Sequence, residues 1–118
     1  MDRHLVIRDE QIAALARDAR ERNERAIALG LRARYPDLTA ALDDLALRAL
    51  IAAAVDKAVG YGIEGPRDLV HFVDYAVRLG PAFDVDPRFS WTREILDDAA
   101  LSGADKILWI DDGLEVRS

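Results

Sequence analysis

The chain predicts an all-α fold, a compact bundle of about four to five helices, on three observations. Its 51% hydrophobic content is rich in alanine, with leucine next, and both favour helix. Valine and isoleucine are too few and scattered for a large sheet. Apolar residues also return at helical spacing, and the breakers Pro36, Gly60-Tyr61-Gly62, Gly80-Pro81 and Asp112-Gly113 cut the chain into helix-length segments. At 118 residues the chain reads as one domain, long enough to bury a core without disulfides; it has no cysteine, so disulfides and thiolate metal sites are excluded.

Residues 1–8 read as a short, flexible and extended arm around Leu5-Val6-Ile7. Asp9 then suits an N-cap for a helix over 9–34, with Glu10 in its first turn. Ile12, Leu15, Ala16, Ala19, Asn23, Ala26, Ile27 and Gly30 form its inner stripe. Charged residues such as Arg17, Arg20 and Arg25 lie opposite. Pro36 ends this helix. The second spans 38–60, with a short turn at 37–42 and a cap at Asp43 or Asp44 before its main part. Leu45, Leu47, Leu50, Ile51, Ala54, Val55 and Val59, widened by alanines, mark it as the most buried helix.

Pro66 opens a third helix over 66–79, where a missing N–H costs nothing at the first position. Residues 82–90 read as a loop pinned by Phe83 and Phe89. Ser90 is a cap for a helix over 91–98 that turns Trp91, Ile95 and Leu96 inward. Ser102 with Asp105 reads as a capping-box variant before a helix over 103–111, stopped by Asp112-Gly113, with Trp109 expected in the core.

The N-terminal apolar stretch is too short for a signal peptide. The longest apolar run, Ala49 to Val55, is far below the about 20 residues of a membrane span, so a cytoplasmic location and no membrane partner are expected. Residues 1–34 hold eight arginines against six acids, and residues 35–118 hold eight basic against sixteen acidic residues. An acidic body repels phosphate backbones, which argues against nucleic acid as a partner.

No P-loop, dinucleotide-binding glycine pattern or paired-histidine zinc motif occurs. His71 and Asp74 share a helix face at a spacing common by chance, and no serine stands out as a nucleophile. The acid pairs Asp43-Asp44, Asp97-Asp98 and Asp111-Asp112 fall beside helix ends, where capping accounts for them. Asp84-Val85-Asp86 begins like a calcium loop, but Arg88, Phe89 and Ile95 stand where a ligand, the glycine and the bidentate glutamate belong. No catalytic, cofactor-binding or metal residue is assigned. The candidate contacts for a partner protein are Phe83, Phe89 and Trp91, with the charged face of Arg17, Arg20 and Arg25.

Tyr61-Gly62-Ile63, His71-Phe72-Val73, the segments 78–86 and 91–96, Leu42-Asp43-Asp44 and Leu47-Arg48-Ala49-Leu50 carry a likeness that covers roughly residues 20–103. On these the chain resembles small bacterial proteins encoded in type VI secretion effector clusters, beside VgrG spike and PAAR-tip genes. The resemblance implies an accessory role without catalytic residues: an effector co-chaperone, an adaptor, or an immunity-like binder of a toxin. The expectation is therefore a non-enzymatic protein that needs no cofactor and binds a type VI effector or a PAAR- or VgrG-associated component. A structural homodimer with no secretion role and a small hydrolase using scattered acids are the rivals.

Overall fold

The computed structural model describes the backbone of residues 9–117 and the side chains of residues 20–117. The expected arm over 1–8 and the side chain of Arg17 lie outside that description. Among the described residues the chain is all-α. Its elements are α1 (Asp9–Arg34), α2 (Pro36–Thr39, a single turn), α3 (Asp44–Gly60), α4 (Pro66–Leu79), two short 3-10 turns (Phe83–Val85 and Pro87–Phe89), α5 (Ser90–Leu96) and α6 (Gly103–Arg117). No helix among them is long and apolar enough to cross a membrane.

Each boundary has a local cause. Pro36 opens the single turn α2, and Thr39 Oγ1 donates to the Tyr35 carbonyl at 2.9 Å. The segment expected as one helix over 38–60 is thus broken, and its main part starts only at Asp44. Asp43 is the cap, its carboxylate accepting from the Ala46 N–H at 2.7 Å. α3 ends in a Schellman motif, with Gly62 at φ +85°: the Gly62 N–H reaches the Val59 carbonyl and the Ile63 N–H reaches Ala58. Ile63, the residue that supplies the motif's hydrophobic contact, is fully buried.

Two further expectations shift. α5 begins at Ser90 and ends at Leu96, rather than spanning 91–98, and Ser90 is not its cap. α5 has no side-chain cap; Asp86 caps the 3-10 turn just before it, accepting from the Arg88 N–H. Ser102 does cap α6, accepting from the Asp105 N–H at 3.1 Å, but Gly113 does not stop that helix, which runs on to Arg117.

α3 is the central helix. Arg20 pairs with Asp56 at 2.8 Å and Arg32 with Asp44 at 2.9 Å, so α1 runs antiparallel to α3. The connection over 61–65 returns α4 antiparallel to α3 as well, and Arg34 reaches Asp74 on α4 at 2.7 Å. α1 and α4 therefore run parallel on two sides of α3. α6 packs on α4, and α5 packs on α6 and on the 3-10 turns. Leu31, Leu47, Ile51, Phe72, Val73, Tyr75, Phe83, Leu96 and Ile110 fill the core. α1 enters it through Leu31, with Ile27 and Ala28 half-buried, while Asn23 and Ala26 of the expected stripe stay exposed.

Candidate docking groove

The aromatic segment divides on folding. Phe83 is 1% exposed, with its ring 5.2 Å from that of Phe72 and 6.0 Å from that of Tyr75. It is a core residue, which corrects its candidacy as a partner contact. Phe89 is half-buried, its ring met by the Arg88 guanidinium at 5.3 Å. Trp91, also half-buried, lies between the backbone of Gly113 and the Arg117 guanidinium, 4.1 Å from its ring centre. Trp109 is 52% exposed, against the expectation of a core position. The buried side of α6 runs through Lys106, Ile107 and Ile110, and Trp109 falls off that side.

The polar clusters tie helices together. Asp84 is buried; Lys57 Nζ donates to its Oδ1 at 2.8 Å and to the Pro81 carbonyl at 3.0 Å, and the Tyr61 hydroxyl donates to its Oδ2 at 2.7 Å. Burial pushes the Asp84 carboxyl up, but the bonds from Lys57 and Tyr61 outweigh it and hold the group below the usual carboxylate range. The same partnership, led by burial, pushes Tyr61 up to about 12. Lys106 Nζ donates to the Tyr61 carbonyl at 2.7 Å, placing a cation at the C-terminus of α3.

His71 does not pair with Asp74, which Arg34 takes. Its Nδ1 lies 3.7 Å from Asp111 Oδ2, and the Tyr75 hydroxyl bonds the other oxygen of that carboxylate. Burial, then this bond to Asp111, raises Tyr75 above the tyrosine range. Of the acid pairs, Asp43 caps α3, Asp44 meets Arg32, Asp97 meets Arg93 at 2.6 Å, and Asp98 accepts from the Ala100 N–H. Among the described residues no three metal-ligating side chains converge.

What the helices do assemble is a groove. Because α1 and α4 both rest on α3, an open trough of about 770 Å³ runs between them. Ile27, Val55, Leu69 and Val70 supply its apolar surface, with Ala26 and Pro66 beside them. Arg20, Asn23 and Glu24 edge it from α1, and Glu64 from the connection before α4. Arg20 is braced by Asp56 and lies 3.6 Å from Glu24. The rim is polar over a floor able to take apolar side chains, each worth about 1.5–3 kcal/mol on full burial.

Of the expected contacts, Arg20 lines this groove, while Arg25 stands on the other flank of α1 beside Arg32 and Arg48. The structure brings neither arginine to the aromatics at Phe89 and Trp91. Sequence reading missed the groove because its wall residues come from three helices and a turn. Its one local signal is the adjacent apolar pair Leu69-Val70 in the first turns of the helix that Pro66 opens. No family model, no curated protein and no solved structure matches the chain.

Proposed function

We propose that this chain is a non-enzymatic accessory protein that binds another protein, and that the groove between α1 and α4 receives a helix of that partner. The observation that carries the reading is the groove itself: two parallel helices on a third, with Ile27, Val55, Leu69 and Val70 half-buried along its floor. That is the position a further helix fills in a bundle, and an amphipathic helix laid into an apolar groove is a common mode of recognition. Glu24 and Glu64 at the rim favour a partner helix with basic residues beside its apolar stripe.

The resemblance to proteins of type VI secretion clusters supports an effector, or a PAAR- or VgrG-associated component, as the partner. An effector co-chaperone or adaptor acting in the cytoplasm before export fits a domain built to cover another protein's apolar surface. An immunity-like binder would use the same groove but silence its toxin.

Co-expression with the products of its neighbouring genes, followed by size-exclusion light scattering, tests the reading. A complex of fixed stoichiometry is expected. A chain that elutes alone beside each neighbouring product, or as a dimer of itself, would overturn it. An activity assay on the bound effector separates delivery from inhibition.

A further inference from the structure

The opposite flank of the α1–α3 seam carries a second surface, independent of the groove. Arg25, Ala28, Leu29 and Arg32 stand at i, i+3, i+4 and i+7 on α1, and Asp44 and Arg48 stand one turn apart on α3. Together they enclose a recess of about 260 Å³. Three arginines and one carboxylate line it, in a chain whose net charge is −6.

The three arginines are not equivalent. Arg32 is fully engaged: it donates to the carbonyls of Thr39 and Leu42 and to Asp44 Oδ1, at 2.9–3.0 Å. Arg25 and Arg48 have no ion-pair partner among the described residues. Arg48 Nε is moreover buried without a hydrogen-bond acceptor. That nitrogen is closed to solvent, so a ligand meets Arg48 through its terminal nitrogens, for which the fold supplies no acceptor among the described residues. Guanidinium groups match carboxylates and phosphates in shape and bind both through paired N–H donors.

We infer that this recess is an anion-binding site for the carboxylate of an acidic residue carried on a partly apolar peptide segment. Two features select that ligand over inorganic phosphate. The recess has a hydrocarbon wall, Ala28 with Leu29, and Leu29 is 73% exposed. Asp44 stands in the same recess and opposes a second negative charge on the ligand. A side-chain carboxylate next to a leucine-like neighbour satisfies Arg48 and Arg25 and covers Leu29 together.

The test uses the full chain and a labelled peptide, blocked at both ends, with Leu-Glu-Leu at its centre. A Gln counterpart and inorganic phosphate are the comparison probes, and binding is read by fluorescence anisotropy. The Glu peptide is expected to bind, and replacing Glu by Gln to weaken it about tenfold or more. Arg25→Gln, an exposed change that leaves the core untouched, and Arg48→Met are each expected to weaken it by a similar about tenfold factor. Absence of binding, equal binding of the Glu and Gln peptides, or binding insensitive to Arg25→Gln would overturn the site. Phosphate binding in place of the peptide would overturn the peptide assignment. A dimer that Arg25→Gln dissociates would do the same, with a second copy as the occupant.

Discussion

Gly103, the first residue of α6, is pressed against the carbonyl of Gly62: a Cβ at Gly103 would lie 2.5 Å from that oxygen and 2.9 Å from Ile63 Cα. Both obstacles are backbone, in a turn already fixed by the Schellman motif, so neither can yield cheaply. Gly103→Ala is expected to cost about 1–3 kcal/mol, because overpacking displaces a helix end rather than a side chain. Gly60→Ala makes the contrast. A Cβ there meets nothing within 4 Å and the residue is helical, so stability should hold or rise by about 0.5–1 kcal/mol. Urea denaturation of the two variants checks both signs.

Much of the architecture is legible in the sequence because its signals are local. Pro36, Pro66, the Gly60-Tyr61-Gly62 stop, the Asp43 cap and the Ser102 cap act within a turn of where they stand. The misreadings arise where a tertiary partner changes a residue's meaning. Gly113 reads as a helix stop but serves as a landing for Trp91, whose Cζ3 would lie 2.4 Å from a Cβ there. Asp84 reads as part of an acidic turn, but Lys57 and Tyr61, more than twenty residues away, make it the buried centre of a polar cluster. Trp109 and Trp91 have equal claims on the core from the sequence, and only the packing side of α6 turns Trp109 outward. The groove had no signature of its own, being the space left by three helices that meet through other faces.

The Asp84 cluster makes stability depend on pH at both ends. Asp84 is held below its ordinary range when folded, so its contribution is complete above the unfolded carboxylate range, about 4, and is lost as pH falls through the folded value. Tyr61, pushed up to about 12, acts in the opposite sense: its contribution is complete below about 10, the unfolded tyrosine value, and is lost as pH rises toward the folded one. Asp84→Ala should cost about 2–4 kcal/mol at neutral pH by stranding Lys57 and Tyr61, and should flatten the acid limb. Tyr61→Phe should flatten part of the alkaline limb and leave the acid limb steeper than in Asp84→Ala. Chemical denaturation across pH reads both.

Substitutions in the aromatic segment should separate by burial. Phe83→Ala removes a ring enclosed by Phe72 and Tyr75, at an expected cost of about 3–5 kcal/mol. Phe89→Ala and Trp91→Ala remove half-buried rings and should each cost less, about 1–3 kcal/mol, with the native helix content retained. Circular dichroism with thermal melts ranks the three. If Phe89→Ala and Trp91→Ala unfold the chain, both rings belong to the core and neither is a partner contact.

Substitutions in the groove should separate binding from folding. Leu69 and Val70 are half-buried and line the trough between α1 and α4, whereas the α4 core is formed by Phe72, Val73, Tyr75 and Ala76. Leu69→Gln and Val70→Gln keep side-chain bulk while removing the apolar surface a partner helix would cover. Each is expected to weaken the partner complex about tenfold or more, at a cost to the chain's own stability of about 1–2 kcal/mol. Trp109→Gln, on the exposed outer face of α6, is the matched control and should leave the complex intact. Titration calorimetry on the co-expressed partner, with melts of each variant alone, gives both quantities. Should the complex survive both groove substitutions and fail with Trp109→Gln, the protein still binds a partner but does so through α6, because a face that contributes nothing on removal is not the one that excludes water.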